Sequence, residues 1–404
     1  MYQVRRVNIG KTAQLDELAR ECGKLYSQTV TSFWRTVRKK GIWLAPKHLM
    51  RWHTSDKLHA HTADACVQAF FASLKSWRER RKSDPDAHPP RRRRYYFRIE
   101  YKSTAIRLKD GKLTLSNGRG NAPLMLDWSW ELPKTVVIHW TGTQYEAIAT
   151  YKQEAPQVTV TSDKVAGIDL GEIHMAVSHD GKQTIILNGR LLRAKRQYQN
   201  KLKAKLSAKI DVKKKGSRRR KQLIRSKQKQ LTKIKQQIKD IEHKQTTHFI
   251  STLQASGVQT VVIGDVRDIR QDLDVGTKTN QKLHQWSHGS IRHQLTYKAE
   301  RRGMRVALPE ERYTSQTCPC CGKRSKPRGR VYRCVKCGFT FHRDGVGAIN
   351  IRYKYREEFG VPHVVGAMAP PTGLRFMPHA RVAREQSREN VCVGNCTEAA
   401  TAFA

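Results

Sequence analysis

Apolar residues recur at helical spacing from Leu15 onward. Leu15, Leu18, Cys22, Leu25, Tyr26, Val30, Phe33 and Val37 share one face, and Gly41 supplies a stop. A second stretch over about 58–82 places Ala65, Cys66, Ala69, Phe70, Leu74 and Trp77 on its apolar side. Ser83 to Pro90 is a linker by composition. Residues 11–88 therefore predict a helical domain, preceded within 1–10 by a strand that alternates over residues 2–8.

Past the prolines the period shortens to two. Tyr95–Ile99, a hairpin over 105–115 with an Asp110-Gly111 turn, and the pair Val136–Trp140 and Tyr145–Ala149 predict short antiparallel strands. Residues 89–158 thus predict a small barrel. The strand in 1–10 completes it, with the helical domain inserted between.

From Lys164 the pattern changes again. Val165–Leu170 is a short apolar run carrying Asp169, and Met175–Val177 and Thr184–Leu187 continue as its neighbours. Residues 190–246 predict two long basic helices, with Ile224, Leu231, Ile234, Ile238 and Ile241 at heptad-like spacing for an antiparallel coil. Gln259–Asp265 and Met304–Leu308 are further buried strands, joined by a helix around 282–301, which implies parallel pairing. A last helix covers 345–357. Residues 359–404 lack periodicity and are expected to be disordered; Cys392 and Cys396 there receive no role. The fold class is multidomain, α+β followed by α/β.

Charge narrows the partner. The chain carries 78 Lys+Arg against 34 Asp+Glu, a formal +44. Such an excess calls for a polyanion, bound with steep salt dependence. Candidate phosphate-contacting residues are Arg91, Arg92, Arg93 and Arg94, and Lys213, Lys214, Lys215, Arg218, Arg219 and Arg220 at the helical hairpin. No apolar run is long enough to span a bilayer, and the N-terminus lacks an apolar signal region. Nine cysteines, four of them in paired knuckles, suit a reducing cytoplasm.

Those knuckles are Cys318-Pro-Cys-Cys321-Gly and Cys334-Val-Lys-Cys337-Gly, separated by twelve residues. Two C-x-x-C pairs, each followed by glycine, predict a closed Cys₄ zinc site, structural because it leaves no open position. Cys320 competes with Cys321, but only Cys321 gives the spacing followed by glycine. Arg324, Lys326, Arg328 and Arg330 between the knuckles are further candidates for phosphate.

Several acids end strands or open the last helix: Asp169, Asp265, Glu310, Glu311 and Asp344. A strand order of 3-2-1-4-5 brings the first, fourth and fifth strands side by side, and sites form at the carboxyl ends of such strands. Converging carboxylates suit Mg²⁺ or Mn²⁺, and paired ions suit phosphodiester hydrolysis.

Gly167-Ile-Asp169-Leu-Gly171, Tyr313-Thr-Ser-Gln-Thr-Cys318-Pro-Cys-Cys321-Gly, Cys334-Val-Lys-Cys337-Gly and Asp344-Gly-Val-Gly-Ala-Ile-Asn350-Ile together resemble TnpB, the RNA-guided nuclease of bacterial insertion sequences. With the helix carrying Gln285-Trp286, the likeness covers about 160–355. The resemblance implies an RNase H-like (RuvC) nuclease domain over 159–315 and 342–358. It implies a zinc-bearing target-nucleic-acid-binding insert over 316–341, a wedge barrel and a helical recognition domain. It also implies a guide RNA from the element's own end, double-stranded target DNA, and a monomer on each RNA. One position departs from the pattern: the family usually carries a Glu on the fourth strand where this chain has Gly264. Either Glu311 on the adjacent strand or Asp265 then completes the set with Asp169 and Asp344. Three other readings stay open: an RNA-guided binder or repressor without cleavage, a compact type V CRISPR effector of the same fold, and a transposase using His59-Ala-His61. The last has a helical setting and only alanine between its histidines.

Overall fold

The computed structural model describes residues 2–93, 96–154, 156, 162–266, 274, 276–327, 329–363 and 369–374. The chain divides into two compact units, Met1–Glu154 and Ala155–Ala404.

In the first unit, β1 (Tyr2–Ile9) precedes α1 (Ala13–Lys40), α2 (Pro46–Trp52) and α3 (Ala60–Ser83). Thr12 caps α1 by accepting the Leu15 N–H at 3.1 Å, and Gly41 ends it in the left-handed region at φ 66°. Tyr26, Phe33, Leu49, Phe70, Leu74 and Trp77 build the helical core. The short α2, unmarked by periodicity, starts at Pro46 and buries only Leu49. Residues 83–90 are not a free linker, because Trp77 Nε1 donates to the Ala87 carbonyl at 2.7 Å and Ala87 is buried.

The strands follow as β2 (Ile99–Lys102), β3 (Ile106–Lys109), β4 (Lys112–Leu115), β5 (Leu124–Asp127), β6 (Thr135–Trp140) and β7 (Tyr145–Lys152). β1 pairs with β7 along its whole length, so the first strand joins the last across the helical insertion. The described strands do not close one ring. They form a four-stranded sheet, β1-β7-β6-β2, and a three-stranded sheet, β3-β4-β5. A 3₁₀ turn over Ser103–Ala105 carries the chain from one sheet into the other. Positive φ at Asp110 (50°) and Gly111 (69°) makes the expected tight turn between β3 and β4. Both sheets and the inner face of α1 share a core that includes Leu15, Cys22, Tyr101, Leu113, Ile138 and Tyr145.

The second unit holds β8 (Val165–Asp169), β9 (His174–His179), β10 (Thr184–Asn188), α4 (Arg190–Asp211), α5 (Arg218–Ala255) and β11 (Thr260–Ile263). After these come α6 (Thr277–Gln285), α7 (His288–Glu300), β12 (Arg305–Ala307), β13 (Val331–Arg333), β14 (Thr340–His342), α8 (Arg343–Tyr355) and β15 (Thr372–Leu374). The main sheet runs β12-β11-β8-β9-β10-β15, with β8, β11 and β12 parallel. The expected side-by-side placement of the first, fourth and fifth strands is therefore present. α8 lies close over β8. A side chain at Gly167 would collide with the Ala348 carbonyl, so this glycine sets the approach.

Three expectations change. The helix around 282–301 is two helices, because the chain turns at Trp286, which is buried in the core. The α4–α5 seam buries Ile234, Ile238 and Ile241, but Ile224 is exposed, and near the hairpin tip the buried apolar residue is Ile210 of α4. Thr372–Leu374, expected to be disordered, forms β15 and pairs in parallel with β10. Cys392 and Cys396 lie outside the described residues.

Candidate active site

β8 delivers Asp169 at its last residue. On the neighbouring β11, Ile263 is followed by Gly264, whose N–H donates to the Ile168 carbonyl at 3.0 Å. Glu311 reaches the same place from beyond β12. A Cβ on Gly264 would lie 2.8 Å from Glu311 Oε2 and 2.9 Å from Ile351 Cδ1. From the helix side, a Cβ on Gly347 would lie 2.6 Å from Asp169 Oδ2. Two bare glycines thus make room for two carboxylates.

Asp169 and Glu311 lie close enough for each to perturb the other's ionisation. Burial, then the charge of Glu311, pushes Asp169 well above the usual carboxylate range. Burial also raises Glu311, against the hydrogen bond from Asp169 and the charge of Lys354. Glu311 Oε2 is buried and has no hydrogen-bond partner. An orphaned acidic oxygen beside a second buried acid is an unfavourable arrangement that a divalent cation relieves, so this donor set fits Mg²⁺ or Mn²⁺.

Asp344 stands in the first turn of α8. His174 Nδ1 lies 2.8 Å from its Oδ2, Arg330 Nη1 3.2 Å from the same oxygen, and Arg343 Nε 3.3 Å from Oδ1. Burial pushes this carboxyl up, but the His174 hydrogen bond and the charges of His342 and Arg343 outweigh burial and bring it to about 2. Asp344 is thus held ionised, whereas burial disfavours the charged forms of Asp169 and Glu311. Asp265 sits one residue past Gly264 and forms an ion pair with Arg292. Its own bridge partner across the sheet is Glu310.

The four knuckle cysteines cluster. Cys318 Sγ lies 3.6 Å from Cys337 Sγ, and Cys321 Sγ lies 3.5 Å from Cys334 Sγ. Zn–S bonds of about 2.3 Å in a tetrahedron give S···S edges of roughly 3.8 Å, so this zinc-binding cluster fits the ion. Cys320 is outside it. Gly322 and Gly338 take positive φ, 69° and 73°, as the knuckle turns require. Burial pushes the Cys334 thiol up, but N–H donation from Cys337 and Lys336 outweighs it and leaves the thiol at about 7.

The basic candidates divide by structural role. Arg92 and Arg93 line a cavity of 1240 Å³ with Arg20, Lys24, Arg35 and Lys57. Arg91 borders a smaller one of 360 Å³ beside Trp34 and Arg38, and Arg94 lies outside the described residues. Lys213, Lys214, Lys215, Arg218 and Arg219 are exposed at the tip of the α4–α5 hairpin. Arg220 is not: its guanidinium donates to the Ile210 and Lys213 carbonyls at 2.8 and 2.9 Å, closing the end of α4. Arg324 stacks on the Tyr313 ring at 3.6 Å and Arg330 pairs with Asp344, whereas Lys326 is exposed and Arg328 lies outside the described residues. His59 caps α3, accepting from the His61 N–H at 3.3 Å.

Sequence reasoning missed two residues at the site, His174 and His342. His174 opens β9 and His342 ends β14, and their rings approach to 4.9 Å. His342 stood next to a recognised motif. His174 carried no spacing signal, because only the β8–β9 hairpin brings it to Asp344.

Comparison with known proteins bears out the resemblance. The family model described as "Cas12f1-like, TNB domain" matches residues 288–351, and that described as "Probable transposase" matches 149–270. The CRISPR-associated endodeoxyribonuclease Cas12f1 of Sulfoacidibacillus thermotolerans is 26% identical over 204 residues, 48% of this chain and 47% of that protein. The TnpB-like protein ORF457 of Acidianus two-tailed virus is 25% identical over 307 residues, 71% of this chain and 64% of that one. The chain thus spans about half to two thirds of the length of these curated relatives. A structure titled "Cryo-EM structure of the Cas12f1-sgRNA-target DNA complex" matches with a TM-score of 0.55 at 12% identity, covering 84% of this chain and 81% of that one. The fold therefore resembles that of Cas12f1 in this complex. No helix among the described residues is long and apolar enough to cross a membrane.

Proposed function

We propose that this chain is an RNA-guided DNA endonuclease that hydrolyses target DNA in a RuvC-type site. Asp169, Glu311 and Asp344 hold the divalent cations. The observation that carries this reading is Glu311 entering the space above Gly264 to meet Asp169. The acid usually found on the fourth strand is supplied from the fifth. Asp265 is the weaker choice because Arg292 already neutralises it.

Bound Mg²⁺ or Mn²⁺ would activate a water and stabilise the leaving oxygen of the phosphodiester. The protein's own groups prepare that chemistry. Asp344, held ionised by His174 and Arg343, presents a permanent negative charge. Asp169 and Glu311, whose charged forms burial disfavours, would be stabilised as carboxylates by a bound cation. Asn350 Nδ2 donates to the Thr314 and Thr317 carbonyls at 2.6 and 2.7 Å, tying α8 to the segment that carries Glu311.

The first unit would act as wedge and recognition domains, with its arginine-lined cavity gripping guide-RNA phosphates. The hairpin tip at Lys213–Arg219 adds a second cationic surface. The Cys₄ ribbon would hold the target-binding insert in shape. Base pairing with the guide reads the target, and the protein reads a short motif beside it.

The test is to purify the protein with its native flanking DNA expressed, sequence the copurifying RNA, and assay cleavage of a matching plasmid with Mg²⁺. A defined RNA and guide-dependent cuts support the proposal. A defined RNA without cleavage replaces it with an RNA-guided binder, and random cellular RNA removes RNA guidance altogether.

A further inference from the structure

We propose that His174 and His342 join Asp344 as ligands of a transition-metal dication, so that one ion in this cleft is of the Mn²⁺ class rather than Mg²⁺. The inference rests on the proposed role of Asp344 and adds the chemical identity of an ion beside it.

Three elements bring the ligands together. β9 supplies His174 at its first residue, β14 supplies His342 at its last, and α8 supplies Asp344 in its first turn. One donor atom from each lies within 4.8 Å of the others. The His174 Nδ1–Asp344 Oδ2 separation of 2.8 Å is close to the edge of an octahedron with bonds of about 2.1 Å. The side chains of His174 and Asp344 are only 14% and 12% exposed, so bulk water competes weakly. His342 Nδ1 is buried without a hydrogen-bond partner. A buried imidazole nitrogen left unpaired is costly unless something occupies it.

The competing arrangement is a purely structural one, in which His174 merely donates to Asp344. That arrangement explains the short contact but leaves His342 Nδ1 unexplained. Arg330 also reaches Oδ2, at 3.2 Å, but its side chain is 43% exposed and free to swing into solvent. Arg343 engages the other oxygen, Oδ1. Oδ2 is thus available to a cation.

Ligand type decides which cation. Mg²⁺ favours oxygen and keeps its waters, whereas Mn²⁺, Co²⁺ and Zn²⁺ accept imidazole. Mn²⁺ also leaves the Cys₄ cluster alone, because thiolates select softer ions.

The experiment uses the full chain with its copurified RNA, labelled with ¹⁵N only in histidine, stripped of Mg²⁺ and given equimolar Mn²⁺. Electron–nuclear double resonance at the manganese should show ¹⁵N coupling, which guanine nitrogens of the unlabelled RNA cannot supply. The double variant His174→Asn, His342→Asn should lose the coupling and bind Mn²⁺ at least about tenfold more weakly, with Mg²⁺ affinity changed less than about twofold. Absence of ¹⁵N coupling in the unsubstituted protein overturns the inference without any variant having to fold. Equal weakening for both metals overturns the selectivity. Asp169→Asn should keep the coupling while cleavage disappears. A protein that never cleaves but shows the coupling would sink the nuclease reading and leave the metal site standing.

Discussion

Glu311 Oε2 occupies the space that a side chain on Gly264 would fill, 2.8 Å from the missing Cβ. The two positions are therefore alternatives for one carboxylate. Glu311→Ala should lower cleavage at least about a hundredfold. Gly264→Ala should also impair it, because the new methyl meets Glu311 and Ile351 Cδ1. Adding Gly264→Glu to Glu311→Ala should recover part of the activity, since each change removes the other's obstruction. Plasmid cleavage rates of the four proteins check this; a double variant no better than Glu311→Ala would contradict it.

The Asp169–Glu311 pair makes stability depend on pH and metal together. Both carboxyls are raised by burial, so their favourable contribution is complete below the unfolded value near 4 and is lost as pH rises through the folded values. Without metal, the melting temperature of the parent should fall between about pH 5 and pH 8 relative to Asp169→Asn, which cannot ionise there. Added Mn²⁺ should raise the parent's melting temperature more at the higher pH. Asp344 has the opposite sign: its contribution is present above 3.8 and lost as pH falls through about 2. Thermal melts of both proteins across this range, with and without metal, measure the difference.

Fold and site were legible in the sequence to different degrees. β8 and β11 announce themselves because buried strands are continuous apolar runs, whereas β12, expected to be buried, lies at the sheet edge and is only half-buried; Asp169 and Asp344 sit in recognisable motifs. Glu311 could be proposed only because Gly264 cannot ligate. The parallel pairing of β8, β11 and β12 follows from the strand–helix–strand pattern, but that Glu311 reaches back over Gly264 to Asp169 depends on packing beyond β12. The break at Trp286 was hidden because both α6 and α7 keep helical periodicity around a residue that belongs to the core. β15 was hidden because its three residues are too few to show a period.

The hairpin tip separates charge from structure. Changing Lys213, Lys214, Lys215, Arg218 and Arg219 to Gln should leave melting unchanged. It should also flatten the salt dependence of RNA or DNA binding by about one unit of slope for each phosphate no longer neutralised. Arg220→Ala should do the reverse, costing about 1–2 kcal/mol of stability by removing the hydrogen bonds to the Ile210 and Lys213 carbonyls and changing the slope little. Filter binding at several salt concentrations, beside melting curves, distinguishes the two.

The cysteine cluster should carry an equimolar zinc content by elemental analysis. Cys337→Ser should lose most of it and expose the ribbon to protease, whereas Cys320→Ser should retain it because Cys320 stands outside the cluster.

Anyone seeking a shorter version of this protein meets a boundary at β15. Thr372, Gly373 and Leu374 shield the outer flank of β10, where Ile185 and Leu187 are buried. Trimming the chain after α8 would strip that cover and leave a raw, apolar sheet margin open to another copy. Minimal versions that stop before residue 372 should therefore self-associate, however complete their catalytic residues.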